Sequence, residues 1–148
     1  MSTETLAALF GRDLLRLRRE IELYTREENL WRTAGAIANP AGNLCLHLLG
    51  NLNTYIGQQL GYTGYVRNRE LEFAQRDVPR PELLRRIDET RAVVGTTLAA
   101  LPAQALQQQY PILVLEHPTT TEFLLTHLLA HLSYHLGQIN YHRRLIDL

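Results

Sequence analysis

Residues 119–146 read TTTEFLLTHLLAHLSYHLGQINYHRRLI, and their spacing organises the whole chain. Leucines and histidines recur at intervals of three and four, the period of one helix face. Thr119 and Glu122 have the T-x-x-E spacing of a capping box, so the helix is predicted to start there. Arg143 and Arg144 fall near its C-terminal end, where cations are favoured. His127, His131 and His135 form a row, and a spacing of four places neighbouring imidazoles one turn apart on the same face.

The rest of the chain has the same period. Phe10, Leu14, Leu17, Ile21, Tyr24, Glu28 and Trp31 predict one long first helix over residues 3 to 31, with Glu28 an acid on its apolar stripe. Gly35 and Asn39-Pro40 interrupt the pattern. Asn39 as N-cap and Pro40 at the first helical position start a second helix, which runs to about Leu60 and stops at Gly61. Its inner stripe is Leu44, His47, Leu48, Asn51, Leu52 and Tyr55. A connection over 61–80 follows. Pro79 and Pro81 then open a third helix with Leu84, Ile87, Val94 and Leu98 inward and Arg85, Arg86, Asp88 and Glu89 outward. Residues 101–118 form another connection, and its YPILVLE segment is at most an extended piece with nothing to pair with. The expected fold is all-α: one domain, 1–148, forming a four-helix bundle.

Composition removes several chemistries. All 15 basic residues are Arg, so there is no Schiff-base lysine and no phosphate-loop lysine. A single cysteine, Cys45, excludes an internal disulfide and a CxxC pair, and it reads as a small packing residue. Zero formal charge gives no broad grip on nucleic acid. No apolar run is long enough to span a membrane. The N-terminal MSTETLAALFGRD shows no signal-peptide pattern, which fits a cytoplasmic protein. Helix 4 lacks HExxH and the chain lacks Glu-x-x-His; Ser133 has no acid to orient a Ser-His couple.

The six histidines are the remaining chemical resource. His127 and His135 would stand about 12 Å apart along the axis, too far to share one ion, so an ion takes an adjacent pair. The height of His47 selects which. On a second helix about 30 Å long, running down, His47 lies about 20 Å above the lower end. On a fourth helix running up, His131 and His135 lie at about 16 and 22 Å, and His127 at about 10 Å. The match requires helices 2 and 4 to be antiparallel, hence an up-down-down-up order with helices 2 and 3 parallel. The connection over 61–80 can span that distance, since about 20 residues extend beyond 60 Å. At this level the histidines are either metal ligands or polar core residues. His127 reads as a buried neighbour or as one supporting the ligands from behind, rather than as a ligand, and His117 and His142 read as non-ligands. Asn51 and Gln138, one turn from the ligand candidates, read as hydrogen-bonding and packing positions.

LCLHLLGNL around His47, HLSYHLGQI around His131 and His135, and RNRELEF at 67–73, in this order, resemble the DinB-like (YfiT-like) family, an uncharacterised branch of it. The resemblance implies an up-down-down-up bundle, often a homodimer, with one divalent transition metal, zinc or nickel foremost, held by His47, His131 and His135. It also implies, more loosely, thiol-dependent transferase or isomerase chemistry with bacillithiol, mycothiol or glutathione. Two functions follow as expectations. One is a metal-dependent transferase or hydrolase-like enzyme acting on a small molecule or low-molecular-weight thiol. The other is a non-enzymatic dimeric bundle with a structural or sensory metal. Arg67 and Arg69 read first as solvated loop residues and second as holding an anionic group; Glu28 is either a base or hydrogen-bond acceptor near the site or an acid whose helix phase is off by one residue. Catalytic residues and substrate stay unassigned.

Overall fold

The computed structural model describes residues 1–148 as an all-α fold of five helices with no strand. Helix α1 covers Thr3–Leu23. Ser2 caps it by accepting the Thr5 N–H at 3.0 Å. Leu6, Phe10, Leu14, Leu17 and Ile21 form its buried stripe. The helix does not continue to residue 31 as its periodicity predicts. Tyr24 is extended, and Glu27–Trp31 is a separate 3-10 turn. The break is imposed from far along the chain. The Asp147 carboxylate accepts the Thr25 and Arg26 N–H groups at 2.6 and 3.2 Å, and the Asn29 side-chain amide at 2.8 Å. Three backbone and amide donors satisfied this way offer the segment an alternative to the helical ladder. Glu28 consequently leaves the apolar stripe; it is exposed, paired with Arg26 at 2.7 Å.

Helix α2, Ala41–Leu52, is buried at every position, His47 and Asn51 included. It begins one residue later than the Asn39-Pro40 signal predicts, because Pro40 keeps an extended ψ of 162°. Beyond Leu52 the helix widens into a π-helical stretch, Asn53–Gln58, and ends with the turn Gln59–Gly61. Two side chains compete for carbonyls where it widens: Asn53 donates to Leu49 O and Thr54 to Gly50 O, at 2.8 and 2.7 Å.

The connection that follows contains a helix that periodicity does not reveal. Helix α3 is Arg69–Ala74, capped by the Asn68 side chain, which accepts the Leu71 N–H at 3.1 Å. Asn43 on α2 docks it by donating to Glu72 O and Gln75 O at 2.9 and 2.8 Å. Helix α4, Arg80–Ala100, carries Pro81 in its first turn. Its buried stripe starts at Leu83 rather than Leu84, which is only half-buried.

Residues 101–120 hold a 3-10 turn, Ala103–Gln107, and no strand; Gln109 and Thr120 make one isolated antiparallel bridge. Helix α5 is Thr121–Ile146. Its cap is Thr120, which accepts the Phe123 N–H at 3.1 Å. The Thr119–Glu122 box does not form, because Glu122 turns to the N-terminal amine and to Gln107.

Side-chain pairings give the helix directions. Arg18 meets Asp88 at 2.9 Å while Ala7 and Gly11 share a surface hollow with Ala92 and Gly95, so α1 and α4 are antiparallel. Glu20 takes Asn140 and Arg143 at 2.7 and 2.8 Å, and the N-terminal amine meets Glu122, so α1 and α5 run the same way. Asn53 donates to Thr90 at 2.8 Å, and Gly61 sits against Thr97, which makes α2 and α4 parallel. No helix is long and apolar enough to cross a membrane.

Candidate metal centre

Helix α2 presents His47, and α5 presents His131 and His135 one turn apart. The His131 Nε2 lies 3.2 Å from His47 Nε2 and 3.1 Å from His135 Nε2. The ligand atoms of the three residues all fall within 4.8 Å of one another. The rings meet edge to face, with interplanar angles of 79°, 89° and 90°.

This arrangement fits a tetrahedral transition-metal ion. Two nitrogens each about 2.0–2.1 Å from such an ion are about 3.3 Å apart. Their other ring nitrogens explain why the Nε2 lone pairs turn inward. His47 Nδ1 stands 3.1 Å from Glu72 Oε1, and His135 Nδ1 stands 2.7 Å from Gln138 Oε1. Each acceptor takes an Nδ1–H, which leaves Nε2 unprotonated and free to donate its lone pair. With His131 Nε2 between the other two, the three rings offer their Nε2 atoms to one point, where a cation would take the lone pairs. His131 Nδ1 is buried without a protein partner.

The electrostatics favour neutral ligands. Burial pushes His131 down to about 4, and the neighbouring His135 and His47 push the same way. Burial also lowers His135, against the hydrogen bond to Gln138. Both rings are therefore neutral near neutral pH, as metal ligation requires. Burial alone would raise the Glu72 carboxyl; hydrogen bonds from His47 and Arg67 outweigh it and hold the group below the usual carboxylate range. Arg67 grips Glu72 with two bonds, Nε to Oε2 at 2.9 Å and Nη2 to Oε1 at 3.0 Å.

Of the other candidates, His127 and Arg67 are placed differently from their sequence reading. His127 is exposed and outside the triad, not a buried neighbour of it. Arg67 is not free for a ligand anion, because its fork is taken by Glu72. Arg69 is exposed, with its guanidinium 5.6 Å from the Phe73 ring centre. The Phe73 ring lies 4.8 Å from that of His47. Gln138 is the acceptor for His135, whereas Asn51 keeps a buried, unpartnered Oδ1. Cys45 is fully buried, and burial pushes its thiol up to about 12, so it is an inert packing group. His142 is buried and structural, bonded to Tyr24 and to the Arg32 carbonyl. His117 is exposed in the 101–120 connection.

Sequence reasoning missed Glu72. It lies between Leu71 and Phe73 in a segment read as loop. The available signal was Asn68, a good cap, opening a short run that alternates acidic and apolar residues. A cleft of about 490 Å³ flanks His135, walled by Ile37, Leu44, Tyr134, Tyr141 and Leu145, with no Asp, Glu or Arg in its lining.

No curated protein matches the chain. Residues 16–147 match the family described as "Protein of unknown function (DUF1572)". That span contains the three histidines, Arg67 and Glu72, and the chain belongs to the DUF1572 family.

Proposed function

We propose that this chain is a metal-dependent enzyme of the DinB-like kind, a single-domain four-helix bundle in up-down-down-up order. In this reading His47, His131 and His135 hold one divalent transition metal, zinc or nickel foremost. The pairings of α1 with α4 and α5, and of α2 with α4, support the order. The observation that carries the function is the convergence of three histidines, with His131 Nε2 at 3.2 Å from His47 Nε2 and 3.1 Å from His135 Nε2, and with acceptors behind the rings of His47 and His135.

An open coordination position distinguishes a catalytic from a closed structural centre. No fourth His, Cys, Asp or Glu belongs to the cluster, and His131 and His135 are half-buried rather than sealed. This supports an enzyme over a structural or sensory metal. A metal at such a site lowers the pKa of a bound water or thiol, or polarises a carbonyl. The substrate class in this reading is a small molecule or low-molecular-weight thiol, and the setting a cytoplasmic homodimer.

Elemental analysis of the purified protein tests the first half, with His131→Ala alongside. Metal near one equivalent that disappears in His131→Ala is the expected result; metal unchanged by the substitution sinks the site. A thiol-transfer screen of the metal-loaded protein tests the second half. Absence of transfer with every thiol and electrophile tried would return the metal to a structural role.

A further inference from the structure

Glu72, the acid behind His47 on the 61–80 connection, has specific surroundings of its own. Glu72 is 6% exposed, a depth at which a glutamate is almost never found unless paired. Its Oε1 faces His47 Nδ1 at 3.1 Å, and Arg67 holds both carboxylate oxygens, with its Nη2 also 3.5 Å from that Nδ1. Helix α2 makes room for it at one position. A Cβ on Gly50 would lie 1.9 Å from Glu72 Oε2 and 2.5 Å from Cδ, so residue 50 has to lack a side chain for the carboxylate to reach His47. The three histidines are thus supported unequally: His47 by a carboxylate, His135 by a neutral amide oxygen, and His131 by no protein group.

We propose that Glu72 is a positioning residue of the metal centre, acting through His47, with Arg67 holding the carboxylate and Gly50 admitting it. The inference rests on the reading of the triad as a metal site. A carboxylate behind the ring fixes the Nδ1–H tautomer, fixes the ring plane and makes Nε2 a stronger donor. A plain Arg67–Glu72 ion pair would anchor the crossover segment without any of these effects. The same contact makes metal affinity depend on whether residues 67–74 are docked on α2.

The test uses the full chain and cobalt(II) or zinc(II) alone as probe. Glu72→Gln removes the charge, and Gly50→Ala displaces the carboxylate without altering any contact residue of the triad. Both are expected to weaken metal binding about 10–100-fold and to shift the visible bands of the cobalt form. Arg69→Gln, which contacts neither Glu72 nor the histidines, is expected to bind as the unsubstituted chain does. A second measurement needs no variant: ring nitrogen shifts of His47 in the metal-free chain are expected to show Nδ1 protonated and Nε2 bare. The opposite tautomer overturns the inference. Glu72→Gln binding metal as tightly as the unsubstituted chain also overturns it, and leaves the triad standing as a metal site. Failure of the unsubstituted chain to bind either metal overturns both.

Discussion

The hydroxyl of Tyr24 lies 2.6 Å from Nδ1 of His142 and ties the chain just beyond α1 to the last turns of α5. The tautomer follows from the far side of the ring. His142 Nε2 stands 2.7 Å from the Arg32 carbonyl oxygen, which only accepts, so Nε2 carries the proton and Nδ1 accepts from Tyr24. Removing the hydroxyl leaves a buried ring nitrogen without a partner. Tyr24→Phe is expected to cost about 1–3 kcal/mol in urea unfolding, with metal binding unchanged.

The same histidine gives a pH dependence. Burial lowers its pKa, against the hydrogen bond to the Arg32 carbonyl. The folded value therefore lies below the unfolded value of about 6.5. Below that pH the unfolded chain takes up the proton first, so stability falls as pH falls and is insensitive to this group above it. The urea midpoint of the metal-free chain is expected to drop on acidification below about pH 6.5, with a shallower drop in His142→Gln. Equal slopes for the two proteins would remove His142 from the account.

Asp147 acts at the more acidic end. Its burial works against ionisation, but four hydrogen bonds from Thr25, Asn29 and Arg26 outweigh it and hold the carboxyl at about 2. A depressed carboxylate contributes stability above its unfolded value, and that contribution is lost as pH falls toward the folded one. Asp147→Asn is expected to flatten the melting temperature between about pH 4 and 2, and to speed amide exchange at Thr25 and Arg26.

The start of α5 can be tested by two neighbouring threonines. Thr120→Ala removes the oxygen that accepts the Phe123 N–H and is expected to cost about 1 kcal/mol. Thr119→Ala removes no cap and is expected to leave the unfolding midpoint nearly unchanged. The reverse ranking would restore the Thr119–Glu122 capping box.

His127 separates the triad from the longer histidine row. His127→Ala is expected to retain the metal content of the unsubstituted protein, whereas His47→Ala is expected to lose it. Elemental analysis of the three proteins side by side reads the difference.

What the sequence makes legible is whatever depends on local period. The apolar stripes of α1, α4 and α5 are written at intervals of three and four, and the level of His47 against His131 and His135 follows from counting helical rises. What depends on distant partners is not legible. The end of α1 at Leu23 is set by Asp147, more than a hundred residues downstream, so the stripe running on through Tyr24, Glu28 and Trp31 misleads. Glu72 is hidden for another reason: a six-residue helix is too short to show a period, and its docking depends on Asn43 and on the gap at Gly50. The shift from Thr119 to Thr120 reflects competition, since Glu122 is drawn away by the N-terminal amine and Gln107.

The row of three histidines on α5 contains two equivalent adjacent pairs, offset by one turn. A slide of α5 by four residues, about 6 Å, would set His127 and His131 opposite His47 and leave the leucine pattern nearly matched. The helix is barred from that slip because it is fastened at both ends. Thr121 N–H holds Gln108 O at 2.9 Å at the start, and Asp147 clasps residues 25–29 at the finish. Two anchors that touch none of the three histidines thus resolve a degeneracy the histidine spacing leaves open, and decide which rung of the histidine ladder meets α2.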